Sequence, residues 1–371
     1  MLLIKTNKDT LLKPLQTVSG IIERRQAYPI LSNVLIRQDQ EKTTFLASDS
    51  DIQIKTEIMP SLAPDQRFSM TVAAKKMLDI LRSLSSDGEV RLVRQDNHLQ
   101  VKFGKSMFSL QILPAEDFPE IVEASEPEAV VTLSQKTLKS LLHHVQFCVA
   151  QQNIRYYMNG LLLSTHETQL TGVSTDGHRL ALLTTQLNEK QPKQEVIVPR
   201  KTAMELSKLL ADSDDPVKIE YFQKKIRFSF SGIVLISKII EGKFPDYNRV
   251  IPLNNDKAFE IDRATLLQSL QRVSILSNVS ENFRGVRLIV STGNLCIICK
   301  NSEQEEAQEE LEIGYQGDKL DVSMNITYLM DLLNNVGSEK VRLAFENENN
   351  SILITILGND EFKYIVMPMR I

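Results

Sequence analysis

Asp9-Thr10-Leu11-Leu12-Lys13-Pro14-Leu15 decides how this chain is read, because it returns twice. Lys136-Thr137-Leu138-Lys139-Ser140-Leu141 and Ala264-Thr265-Leu266-Leu267-Gln268-Ser269-Leu270 repeat the threonine and the leucines that follow it at helical spacing. Thr10, Thr137 and Thr265 stand 127 and 128 residues apart. Self-similarity at a fixed period marks a structural unit used more than once.

Working outward, each unit holds a second helix entered from a valine. These are Val72-Ala73-Ala74-Lys75, Val198-Pro199-Arg200-Lys201 and Val322-Ser323-Met324-Asn325, with the valines 126 and 124 residues apart. Pro199 suits a first helical turn, where its missing N–H is not needed. Asp117-Phe118-Pro119 and Lys243-Phe244-Pro245 close the first two units, 126 residues apart, and Met367-Pro368-Met369-Arg370-Ile371 closes the third. Short β-rich runs such as Gly160-Leu161-Leu162-Leu163 and Ser351-Ile352-Leu353-Ile354-Thr355-Ile356 fill the intervals. The fold expected is α+β: three repeated domains, each with two helices packed on antiparallel sheets. Breaks at Glu126-Pro127-Glu128 and Pro252-Leu253-Asn254-Asn255 put the domains at 1–128, 129–252 and 253–371.

Composition bounds the class. With 42% apolar and 24% charged residues the 371-residue chain reads as globular, and no apolar run is long enough to span a bilayer. Met1-Leu2-Leu3-Ile4-Lys5 is too short an apolar patch for a signal peptide. A cytoplasmic protein without a membrane partner is expected, and Cys148, Cys296 and Cys299 fit that compartment. The Cys296-x-x-Cys299 spacing invites a metal or redox reading. It lies in a strand-like run, however, where positions three apart face opposite ways, so two buried structural thiols are expected.

Net charge is −4, which on its face argues against a nucleic-acid binder. Its distribution argues the other way. The helices expected at 7–22, 72–86, 134–148, 199–210, 262–277 and 323–336 carry 12 basic and 5 acidic residues, a net of +7, which leaves −11 for the remainder. Equivalent helices of equivalent units face alike, so they gather positive charge on one surface, which attracts phosphate without reading bases.

Catalytic motifs do not survive inspection. Gly104-Lys105-Ser106 resembles the end of a phosphate-binding loop, but Leu99 stands where that loop needs its first glycine. No two glycines are separated by a single residue, so the dinucleotide fingerprint is absent. Asp176 and His178 could form an acid–base pair, but no nucleophile with an oxyanion hole accompanies them. The expectation is a protein that is not an enzyme and uses no cofactor or metal. A scaffold that binds only peptides is the other non-enzymatic reading.

From end to end the sequence resembles the bacterial sliding clamp family, the beta subunits of DNA polymerase III. The resemblance rests on Leu11-Leu12-Lys13-Pro14-Leu15, Arg155-Tyr156-Tyr157-Met158-Asn159-Gly160, Thr175-Asp176-Gly177-His178-Arg179-Leu180, Val198-Pro199-Arg200-Lys201, Phe244-Pro245-Asp246-Tyr247, Phe283-Arg284-Gly285-Val286-Arg287 and Val366-Met367-Pro368-Met369-Arg370. It implies a three-domain protomer that dimerises head to tail into a six-domain ring, with helices lining the hole. Such a ring encircles double-stranded DNA without sequence preference and serves as a processivity factor in replication. ATP hydrolysis would come from a clamp loader.

The resemblance also implies sites. A hydrophobic pocket would take short linear peptides from DNA polymerase subunits, the clamp loader and repair proteins. Its residues here would be Arg155, Met158, Thr175, Gly177, His178, Arg179, Leu180, Pro245, Arg249, Val250, Ile365, Val366, Met367, Pro368, Met369 and Arg370. Flexible methionines suit a site that receives many partners. Arg25, Gln152, Tyr156, Tyr157, Arg200 and Lys201 would face DNA. The homodimer interface would set Lys105, Phe108 and Leu110, with Lys102 and His98, against Ile275, Leu276, Glu303, Glu305 and Glu306 of the glutamate-rich stretch. Met107 stands where the family often has an arginine, so modest salt dependence of the dimer is expected.

Overall fold

The repeated threonines are helix-capping positions. In the computed structural model, which describes residues 1–23, 28–63, 65–86, 88–121, 126–277 and 285–369, α1 (Lys8–Ser19) starts from Asn7, whose Oδ1 accepts the Thr10 amide at 3.0 Å. α3 (Gln135–Val145) starts from Ser134, whose Oγ accepts the Thr137 amide at 3.2 Å, and α5 (Arg263–Val273) from Asp262, whose Oδ1 accepts the Thr265 amide at 2.7 Å. Each threonine hydroxyl also reaches the same capping side chain. A cap three residues ahead of such a threonine satisfies one of the orphan amides of the first turn. The sequence repeat is therefore a repeat of helix starts. The other three helices, α2 (Ala74–Ser83), α4 (Arg200–Leu209) and α6 (Ile326–Asn335), follow directly on strands Phe68–Ala73, Arg179–Pro199 and Leu320–Asn325. Of these, α6 is capped by Asn325, which accepts the Thr327 amide at 2.9 Å.

Two compact units result. The first comprises residues 1–139 and 201–239, the second 140–200 and 240–371. The repeat cuts the chain in three, whereas compactness divides the middle third between the units. Strand pairing is the reason. In the first unit a twelve-stranded antiparallel sheet runs on from Ile52–Ile58 to Ile233–Lys238, Lys225–Phe230, Pro216–Tyr221 and Ala129–Ser134. In the second unit the long hairpin Gly160–Thr175 and Arg179–Pro199 joins Asn359–Val366, then Ile352–Ile356, Lys340–Phe345 and Lys257–Asp262. A separate four-stranded sheet of the second unit has the order Glu306–Glu312, Asn294–Lys300, Gly285–Ser291, Leu320–Asn325.

Helices bury the leucine face that the sequence marks. Leu11, Leu15 and Val18 of α1 and Leu266, Leu270 and Val273 of α5 are buried, as are Leu138, Leu141, Leu142 and Val145 of α3. The expected pair of buried thiols is corrected by half. On Asn294–Lys300, Cys299 is buried on one face and Cys296 is half-buried on the other, because strand alternation separates positions three apart. No helix among the described residues is long and apolar enough to cross a membrane.

Candidate functional site

At the end of the second unit's long hairpin, the turn Asp176–His178 is fixed by its own side chains. Asp176 Oδ1 accepts the His178 and Arg179 amides at 3.0 and 3.1 Å, and the Thr175 hydroxyl donates to the Arg179 carbonyl at 2.6 Å. Gly177 sits at φ +94°, a conformation that side chains with a Cβ resist. The other carboxylate oxygen of Asp176 accepts Arg179 Nε at 2.9 Å. Asp176 is thus committed to backbone and guanidinium. Among the described residues no hydrogen bond joins it to the His178 ring, and the acid–base reading loses its orienting partner.

Beside the turn, the segment before Gly160 is locked by Asn159, which accepts the Asn153 amide at 2.9 Å and donates to its carbonyl at 3.0 Å. A Cβ on Gly160 would lie 2.7 Å from the Val198 carbonyl oxygen, so only glycine lets the two strands approach there. This anchoring sets Met158 against the turn. The short helical turn Tyr247–Val250 and the end of Asn359–Val366 complete the wall. The chain end is held down by main-chain bonds from Met367 N to the His178 carbonyl, 2.9 Å, and from Met369 N to the Ser323 carbonyl, 2.7 Å.

Together these elements enclose a cavity of about 160 Å³. Its apolar lining is Met158, Leu180, Phe244, Pro245, Tyr247, Val250, Ile365 and Met367, with Thr175 and Gly177 beside them. Arg155, His178, Arg179 and Asp246 supply the polar groups. Beneath it lies a cluster of Leu162, Val173, Leu180, Leu182, Ile197, Phe244 and Ile365, which makes the floor rigid. Such a concave, mostly apolar site with a few convergent polar groups binds by shape and burial.

Of the sixteen residues expected here, Arg155, Met158, Thr175, Gly177, His178, Arg179, Leu180, Pro245, Val250, Ile365 and Met367 line the cavity. Val366 does not: it follows Ile365 on a strand, points the opposite way and is fully buried. Pro368 and Met369 are half-buried and do not reach the lining, because the tail leaves toward Ser323. Arg249 is largely exposed and ion-pairs at 2.9 Å with Asp246, which is itself a lining residue. Arg370 lies outside the described residues. Phe244, Asp246 and Tyr247 were missed as lining residues, although Phe244-Pro245-Asp246-Tyr247 was already legible as a motif.

The residues expected to face DNA divide. Arg25 lies outside the described residues. In the second unit Gln152 and Tyr156 are exposed, Tyr157 packs against the cavity's core, and the buried Arg200 Nε finds no partner among the described residues. In the first unit the Lys201 ammonium is held by Glu23 at 2.7 Å and by Asp49, so its charge is neutralised rather than free. The side-chain cations of Lys13, Lys75, Lys76, Arg82, Lys136 and Lys139 have no ion-pair or hydrogen-bond partner among the described residues, and all but the half-buried Lys139 are exposed.

Of the expected interface residues, Phe108, Leu110 and Glu306 lie on edge strands, Lys105, Glu303 and Glu305 lie in the adjoining turns and loops, and Ile275 and Leu276 lie in the short helical turn Ser274–Leu276. Ser106–Leu113 pairs fully with His98–Phe103 but meets Phe68–Ala73 only at Ile112 and Leu113, which leaves an open edge. Lys105 is at its exposed turn, Met107 is 59% exposed and Phe108 half-buried. Leu110 is 8% exposed, so its apolar surface is already spent within its own sheet. Glu306–Glu312 forms the edge of the four-stranded sheet, with Glu303, Glu305 and Glu306 exposed and Glu306 paired to Lys300. Ile275 is 80% exposed and Leu276 half-buried.

Known proteins match along the whole length. Models of the N-terminal, central and C-terminal domains of the DNA polymerase III beta subunit match residues 2–122, 132–246 and 248–370 in order. The beta sliding clamp of Pseudomonas putida is 40% identical over 365 residues, 98% of either chain, and that of Escherichia coli K12 is 38% identical over 364 residues, again 98% of either chain. A crystal structure of the Pseudomonas aeruginosa sliding clamp with ligand superposes with a TM-score of 0.93 at 38% identity, and one bound to griselimycin with 0.94 at 38%, each covering both chains in full. Repeated helix-on-sheet units and an apolar pocket beside Met367 are those of a non-enzymatic clamp-type processivity factor. The chain belongs to the DNA polymerase III beta subunit family, the bacterial sliding clamps.

Proposed function

We propose that two copies of this chain close head to tail around duplex DNA in the cytoplasm and tether polymerases, the clamp loader and repair proteins through the pocket. The apolar cavity beside Met367 carries this reading, because it offers burial to side chains of a short peptide and needs no catalytic group. Exposed Met367 and buried Met158 give the wall thioethers that adapt to different anchors. Docking at such a site converts dissociation from DNA into rapid rebinding, since the tethered partner stays at high local concentration.

The finer assignments go with it. Domains would run 1–128, 129–252 and 253–371, in keeping with the capping repeat. Gln152, Tyr156, Tyr157 and Arg200 would approach DNA, with Arg25, and the unpaired helical lysines would supply non-specific phosphate attraction. The open edge at Ser106–Gln111 of one protomer would meet Glu306–Glu312 of its partner, with Lys105 and Phe108 against Ile275, Leu276 and the glutamates. Unpaired strand edges are ready templates for such pairing.

Deletion of residues 367–371 tests the pocket. A capped hexapeptide with leucine and phenylalanine anchors should lose measurable binding by fluorescence anisotropy, while sedimentation still reports a dimer. Undiminished peptide binding would remove the pocket from the account.

A further inference from the structure

Arg179 lines the pocket, yet its charge is spent behind it. Nε donates to Asp176 at 2.9 Å, one terminal nitrogen to Asp331 of α6 at 2.7 Å, and the other to the Phe147 carbonyl at 3.2 Å. The guanidinium also stacks on Tyr328 of α6, 4.3 Å from the ring centroid, and its side chain is 10% exposed. One cation therefore faces two carboxylates, and this base of the pocket carries a net negative charge. Among the described residues the remaining charged groups lining the pocket are Arg155, which is exposed, and Asp246, already paired with Arg249. His178 completes the polar lining.

We propose that Asp331, which does not line the pocket, is a specificity-determining residue: by consuming the Arg179 charge it makes the pocket prefer uncharged apolar peptides over acidic ones. The inference rests on the peptide-docking reading above. Guanidinium normally recognises carboxylate in a bidentate fork, so an unpaired Arg179 would invite an acidic side chain. Held by two carboxylates and an aromatic face, it presents only its stem to a ligand. Asp331 is 37% exposed at its side chain, so changing it alters charge more than packing. A one-charge change at such a partly screened distance is worth roughly fivefold in affinity.

The test compares two capped hexapeptides that differ by one leucine anchor replaced with glutamate, using the full-length dimer. The unaltered protein should favour the leucine peptide. Asp331→Asn should narrow the ratio of the two dissociation constants by about fivefold, while Asp331→Glu keeps the ratio within about twofold of the starting value. Equal weakening of both peptides by Asp331→Asn, with the ratio unchanged, would mean a merely structural role and overturn the proposal. If Asp331→Asn does not fold, Asp331→Ser is read the same way. Failure of the leucine peptide to bind the unaltered protein would instead overturn the docking reading itself.

Discussion

Gly177→Ala isolates the backbone from the contacts at the pocket. The position has φ +94°, and a Cβ placed there would stand 3.5 Å from an Arg155 guanidinium nitrogen and 4.0 Å from the Met158 sulfur. Those are ordinary contact distances, so there is room for the methyl group. What alanine cannot do cheaply is hold that φ. The left-handed region costs a residue with a Cβ roughly 1–2 kcal/mol, which for a unit of this size lowers the melting temperature by about 3–6 °C. Relief of that strain would shift the Asp176–His178 turn, and with it the wall shared by Met158, Leu180 and Met367. Peptide affinity should fall by about fivefold to tenfold, since 1 kcal/mol or slightly more of the strain appears in the bound geometry. Asparagine tolerates positive φ better, so Gly177→Asn should recover part of both losses. Thermal melts and anisotropy titrations of the three proteins decide it. An alanine variant that melts and binds like the parent would refute the argument. An asparagine variant as impaired as alanine would show that side-chain crowding, not backbone conformation, sets the cost.

Other expectations follow from the ion pairs. Glu220 is 2% exposed and accepts two bonds from Arg227, 2.6 and 2.7 Å, with Lys218 at 2.8 Å, and Arg227 chiefly holds its carboxyl below the usual range while burial opposes. A depressed folded value means the stabilisation is present above the unfolded value and is lost as pH falls through the folded one. Glu220→Gln should cost about 2 kcal/mol near pH 7, allowing for the partial exposure of its partners, and progressively less as pH falls below the usual carboxylate range. A cost independent of pH in thermal melts would contradict this. Lys75→Gln with Lys76→Gln should weaken binding of unloaded protein to a short duplex and reduce the salt slope by roughly two. Lys201→Gln, already neutralised by Glu23 and Asp49, should leave that slope nearly unchanged, and an equal loss from both variants would count against the assignment of free charge.

Much of the fold was legible because its signals are local. The three threonines mark amides that a cap three residues earlier must satisfy, and the leucines after them are the buried faces of α1, α3 and α5. What remained hidden depends on partners far along the chain. Pairing of Ile233–Lys238 with Ile52–Ile58 spreads one sheet across two repeats, and no periodicity reveals it. Lys201 reads as a free cation until Glu23 and Asp49 are brought to it. Motif residues such as Met158, Gly177, Leu180 and Met367 line one cavity, whereas strand alternation turns Val366 away from it. Asp331 could not have been found from sequence, since its bearing on the pocket runs through Arg179.

The central claim is topological and has a direct measurement. The protein is loaded with a clamp loader and ATP onto nicked circular plasmid, part of the sample is linearised, and both are passed through a sizing column. The account predicts that the protein travels with the circle and is lost after linearisation, because a closed ring slides off free ends. Equal retention on circle and line would mean ordinary electrostatic binding and would contradict the ring.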